Sequence, residues 1–214
     1  GQETMAFRLQ FLWEPTEKFS ALFNVHGWEL DGTARVFRAN ILKPGSNDLA
    51  SGFSQDKVYQ DGLNDQEISS QGGAFTLNYE FDFGTLTAIT GYETLDMFSR
   101  GDIDGGYGAV FAPPSGPGLI PFPSESADGI PDPDQFTQEI RLASDTGGAW
   151  DWLVGFFYFD ESLQADSFSY NSLGGNVQDG YAFQVQDAES WALFTSLDFR
   201  PTDRWTLKGG LRYT

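Results

Sequence analysis

Few side chains in this 214-residue sequence could do covalent chemistry. There is no cysteine, which removes thiol nucleophiles, thiolate metal sites and disulfides together. The one histidine, His26, sits beside Asn24 in a strand-like stretch. A lone histidine reads first as a structural hydrogen-bonding residue and second as a ligand contact. No Gly-x-Ser-x-Gly elbow is present, so acyl transfer has nothing to rest on. Glycoside hydrolysis needs two carboxyl groups at a set separation in space, which the spacing of 31 acidic residues does not give. The expectation is a protein that is not an enzyme, with no catalytic residues and no cofactor. Asp102-Ile-Asp104-Gly-Gly106 has the alternating carboxylates that open a calcium loop, but the bidentate Glu due downstream is missing. It reads as a solvated acidic loop, with no metal expected.

Charge narrows the partners. Twelve basic residues stand against 31 acidic ones, a net charge of −19, and a polyanion demands a positive surface. Nucleic acid is therefore not expected. The sequence is 16% aromatic, with 20 Phe, too rich in apolar groups for disorder. Its longest apolar run, Trp152 to Phe159, falls short of the roughly 18 residues a membrane helix needs.

The elements that must position these residues are strands. From Trp205 to Tyr213 the odd positions are apolar or Gly and the even ones polar or Gly, a period of two. Trp191, Leu193, Leu197 and Phe199 mark a partner strand, joined through the polar turn Pro201-Thr-Asp-Arg204. Trp13-Glu-Pro-Thr-Glu-Lys-Phe19 repeats Phe199-Arg-Pro-Thr-Asp-Arg-Trp205 type for type, so the hairpin is a repeated unit. Met5, Phe7, Leu9, Phe11 and Trp13 line one face of a first strand, and Phe75, Leu77, Tyr79, Phe81 and Phe83 one face of a third. The stretch Leu86 to Tyr92 alternates weakly, and Trp150 to Phe159 is apolar on both faces.

About eight strands result, joined alternately by short turns (near 14–18, 82–85, 145–149 and 200–204) and long loops (near 30–66, 99–135 and 160–188). In an up-and-down meander this puts every long loop at one end, as in outer-membrane barrels, and strands of nine to eleven residues cross a tilted membrane span. Aromatics crowd the short-turn end, where an interfacial girdle belongs. Residues 1–214 are thus expected to form one partial β-barrel domain. The sequence starts without a signal peptide and stops in mid-strand, so both ends read as cuts through a longer chain. Two rivals are a complete eight-strand outer-membrane barrel with a structural or adhesive role, and a secreted β-sandwich that binds carbohydrate.

Three motifs, in order, add a resemblance. Gly84-Thr-Leu-Thr-Ala-Ile-Thr-Gly-Tyr92, Phe136-Thr-Gln-Glu-Ile-Arg-Leu-Ala-Ser144 with its partner Trp152-Leu-Val-Gly-Phe-Phe-Tyr-Phe159, and the closing Leu207-Lys-Gly-Gly-Leu-Arg-Tyr-Thr214 resemble strands of TonB-dependent outer-membrane receptors. The resemblance implies an all-β, antiparallel transmembrane segment of a 22-stranded type of barrel in a bacterial outer membrane. It implies energy-coupled uptake of a scarce nutrient such as a ferric siderophore. Its partners would be outer-membrane lipid, a small ligand such as an iron chelate, and the TonB complex through a plug domain that these residues lack. Candidate ligand contacts are Arg8, His26 and Arg141 on the polar face of strands, and the loop aromatics Tyr107, Phe111, Tyr170 and Tyr181.

Overall fold

The computed structural model describes residues 1–43, 45–105, 109–111, 118–120, 124–144, 147–202 and 204–214, with backbone alone for 109–111 and 118–120. In chain order the strands are β1 (Gln2–Thr16), β2 (Phe19–Gly32), β3 (Asp65–Phe81), β4 (Gly84–Asp102), β5 (Ala109–Phe111), β6 (Gly118–Ile120), β7 (Glu125–Ile130), β8 (Asp134–Ser144), β9 (Trp150–Asn171), β10 (Val177–Thr202) and β11 (Trp205–Tyr213). All but β5 and β6, which form a separate ribbon, join one antiparallel sheet. Strands β7 and β8 both lie between β4 and β9, one above the other. They are two halves of one column, parted at Pro131-Asp132-Pro133, so nine strands make the eight columns expected.

Register explains why the alternation matters. Phe11 lies opposite Phe23, Phe23 opposite Phe75, and Phe75 opposite Thr90. Farther on, Leu86 meets Leu142, Leu142 meets Val154, Val154 meets Thr195, and Thr195 meets Leu211. One apolar face therefore runs across all eight columns, with a polar face behind it. On the apolar face Thr90 and Gln138 satisfy each other, Thr90 Oγ1 donating to Gln138 Oε1 at 2.7 Å. Gln138 Nε2 donates in turn to the Ile89 and Glu139 carbonyls at 3.0 and 3.1 Å, which avoids the cost of an unpaired group in an apolar setting.

Among the described residues no second layer covers the apolar face. Phe7 is 61% exposed, Phe75 41%, Leu207 55% and Leu211 78%. The buried apolar side chains among the described residues are only Ala21, Ala34, Ala127 and Ala192. A water-soluble protein has the opposite distribution, which rules out the two-layer sandwich. The sheet is also open: among the described residues β1 pairs only with β2 and β11 only with β10. This corrects the complete eight-strand barrel, because the outer columns do not meet.

Aromatic rings mark two levels on the apolar face. At the short-turn end Trp13 packs on Phe19 at 5.6 Å, Phe81 on Phe83 at 5.3 Å and Trp150 on Phe199 at 3.9 Å. A second level, not anticipated from sequence, runs through Tyr92, Phe136, Tyr158, Trp191 and Tyr213 on five neighbouring columns. Trp191 and Phe199 are eight residues apart on β10. That is about 27 Å along a strand, or ~20 Å of height once tilted, close to the apolar band of an outer-membrane barrel.

Above the second level the strands continue. The expected loop over 160–188 is corrected: β9 reaches Asn171, β10 starts at Val177, and only 172–176 connects them. Strand β3 begins at Asp65 and β4 runs to Asp102, so both continue beyond the stretches 75–83 and 86–92 in which the alternation is read. The expected turns near 14–18 and 200–204 are tighter, since Pro15 and Pro201 belong to strands β1 and β10. Each proline sits in a one-residue register shift, between Trp13 and Thr16 in one hairpin and between Phe199 and Thr202 in the other. A strand proline is tolerated at such a bulge because it has no N–H to give to the ladder.

Candidate functional site on the polar face and at the loop end

Register also builds the polar face. Arg8 lies opposite His26, His26 opposite Gly72, Gly72 opposite Glu93, Glu93 opposite Gln135 and Gln135 opposite Glu161. Two strands apart, His26 Nε2 and Glu93 are 3.2 Å from one another. The contact is possible because Gly72 has no side chain: a Cβ there would overlap the Glu93 carboxylate. His26 Nδ1 is buried without a partner, as is Asn24 Oδ1. Gln135 Nε2 donates to Glu161 at 3.0 Å.

Nearer the short turns, Thr87 donates to Asn78 at 2.9 Å and Asn78 to Ser20 at 3.3 Å. Arg141 pairs with Glu139 at 3.1 Å and Lys208 with Asp198 at 2.6 Å. Phe157 and Phe194 also lie on this face, with the Arg212 guanidinium over both rings at 5.7 and 5.8 Å. Such a wall can orient a polar or charged molecule by hydrogen bonds and charge. His26 has a carboxylate for its partner and no hydroxyl, so it does not form a nucleophile–base pair.

The loop end gathers a denser cluster. Glu125, at the start of β7, is buried and accepts from the Arg100 guanidinium at 2.5 Å, Asn176 Nδ2 at 2.8 Å and the Leu63 backbone N–H at 3.1 Å. Arg100 in turn lies over the Tyr170 ring at 3.8 Å. Four segments far apart in sequence thus meet around one ion pair. Beside it, Asp102 is 1% exposed. The solvated acidic loop expected for Asp102-Ile-Asp104 is therefore corrected, because the loop before β3 folds over this carboxylate. Burial pushes the neighbouring Asp61 carboxyl above its ordinary range, and the Asp102 charge pushes the same way.

The sequence-predicted residues are scattered rather than convergent. Arg8, His26 and Arg141 share the polar face on β1, β2 and β8. Tyr170 belongs to the loop-end cluster, on strand β9 instead of a loop. Tyr181 is on β10 with the parity of Trp191, so it faces the apolar side. There it stacks on Phe168 at 5.2 Å and donates its hydroxyl to Asp166 at 2.9 Å. Tyr107 lies outside the described residues, and of Phe111 only the backbone, in β5, is described. Glu93, Glu125, Arg100 and Asp61 were not singled out from sequence. Their partners are 25 to 76 residues away, and no local spacing signals them.

No curated protein matches the chain. Among solved structures, it is similar to the outer membrane transporter YddB from Escherichia coli, at 13% identity and a TM-score of 0.40. That likeness covers 99% of this chain and 34% of the other, so the chain spans about a third of the solved protein's length. Residues 18–214 match the family described as TonB dependent receptor-like, beta-barrel, and the chain belongs to that family of the bacterial outer membrane.

Proposed function

We propose that the chain forms part of the wall and outer mouth of an importer that takes up a scarce nutrient, such as a ferric siderophore, with energy delivered by a TonB complex. The observation that carries this reading is the single sheet with an uncovered apolar face and a charged face behind it. Lipid covers the first, and the second lines a water-filled passage, the arrangement that lipid forces on any strand-built span. Family membership supports transport in general. Arg8, His26 and Arg141 then face the passage, where they contact the ligand or a plug domain outside these 214 residues.

The test is uptake. Cells lacking the gene, grown short of iron, should lose uptake of at least one radiolabelled iron chelate from a panel, and a protonophore should abolish that same uptake in wild-type cells. Unchanged uptake of every chelate in the deletion strain would remove the siderophore reading.

A further inference from the structure

The connection 33–64 carries a charge unlike that of the rest of the chain. It holds four basic residues, Arg35, Arg38, Lys43 and Lys57, against the three acids Asp48, Asp56 and Asp61, a balance of +1. Taken from the 12 basic and 31 acidic residues of the whole chain, that leaves eight against 28, a balance of −20. Among the described residues Lys43 pairs with Asp48 at 3.9 Å, while Arg35, Arg38 and Lys57 meet no carboxylate.

Two of these unpaired cations share a cavity. Arg38 and Lys57 line a space of about 320 Å³ between the connection and Gly105, just beyond the end of β4. Ser51, Phe53 and Tyr59 line it too, and among the described residues no carboxylate does. Backbone contacts fix its shape. The Leu42–Leu49 bridge and the Ala50 N–H, which donates to the Ile41 carbonyl at 2.9 Å, fold 41–50 into a small hairpin. The Ala39 N–H donates to the Gly105 carbonyl at 3.4 Å, and a Cβ at Gly105 would collide with the backbone of Arg38 and Ala39. Glycine is what lets the two segments close.

A single exposed cation is held by water and calls for nothing more. Two on one concave wall without a counter-charge repel each other, and a shared anion relieves both. The Ser51 and Tyr59 hydroxyls can donate to the same anion, and the Phe53 and Tyr59 rings offer an apolar side. We infer that this cavity binds an anion, and that the cargo is an iron chelate of net negative charge, such as a tris-catecholate, rather than a neutral tris-hydroxamate. Three doubly ionised catecholates around iron(III) leave negative charge, whereas three singly ionised hydroxamates leave none. The cavity is at the small end of the range for ligand pockets, so it takes one charged edge of the chelate. The inference rests on the importer reading and narrows its cargo by charge.

The probes are a hexadentate ferric tris-catecholate and a hexadentate ferric tris-hydroxamate, titrated by calorimetry into the full-length receptor in detergent. Wild type should bind the catecholate at least tenfold more tightly than the hydroxamate, and the catecholate affinity should fall as salt rises. Arg38→Gln with Lys57→Gln should weaken the catecholate at least tenfold and leave the hydroxamate unchanged. Equal or tighter binding of the hydroxamate by wild type, or equal catecholate affinity in wild type and variant, would overturn the inference and leave the importer reading standing. Binding of neither chelate would remove both. Should the double variant not fold, the same comparison on Arg38→Gln alone decides.

Discussion

A methyl group at Gly72 would overlap the Glu93 carboxylate, so Gly72→Ala should swing Glu93 away and break its contact with His26. The expected loss is about 1 kcal/mol, read from unfolding in detergent. Gly155 plays the same part under a ring, since its missing Cβ leaves the space that Phe194 fills beneath Arg212. Because a phenyl ring and a guanidinium must both move, Gly155→Ala should cost more, about 1–3 kcal/mol. At the short-turn end Lys18 and Asp82 meet at 2.6 Å, both exposed. The ammonium hydrogen bond holds the Asp82 carboxyl below its ordinary value, and the carboxylate raises the Lys18 ammonium in return. The contact is thus complete above the ordinary carboxylate pKa and is lost as pH falls through the lowered one. At the alkaline limit it is lost as pH rises through the raised lysine value. In an NMR titration, Lys18→Met should return Asp82 to the ordinary carboxylate range, and an unchanged Asp82 would show that Lys18 does not set it.

Among the elements, the column shared by β7 and β8 shows how a strand is stopped without being ended. Asp132, between two prolines, takes φ 44°, where a side chain is strained. Asp132→Gly should leave stability unchanged or slightly raised, while Asp132→Val should cost about 1–2 kcal/mol, measured by the same unfolding. The hairpin repeat was legible because Pro15 and Pro201 sit between paired aromatics in matching positions, and both prove to lie in one-residue register shifts. Strand ends were not legible. The upper part of β10 keeps an alternation, with Tyr181, Phe183 and Val185 on one face and Gln184 and Gln186 on the other, but its partner stretch 160–171 is mostly polar on both faces, so the pair reads as a loop. Strand β9 was ambiguous for the opposite reason: Phe157 on its polar face packs near Arg212, so both faces read as apolar. The loop-end cluster was invisible because Asp61 and Asp102 are brought together only by the fold of the connection 33–64.

For the whole molecule, the central claim is that lipid covers the apolar face. Along β10, Trp191, Leu193, Thr195 and Leu197 are exposed, while Ala192, Phe194, Ser196 and Asp198 between them are not. Thr195 lies midway between the two aromatic levels. An arginine on the lipid side at that depth costs about 2–4 kcal/mol, so Thr195→Arg should lose that much in bilayer unfolding while Ser196→Arg loses far less. The most direct test uses the absence of cysteine from these 214 residues. Single cysteines placed in turn from 191 to 199, spin-labelled in the intact receptor in bilayers, would be read against oxygen and a water-soluble nickel chelate. The account predicts oxygen access at the odd positions alone, highest near 195, with access to the chelate confined to even positions. Labels that show no alternation, or odd positions closed to both relaxants, would contradict it.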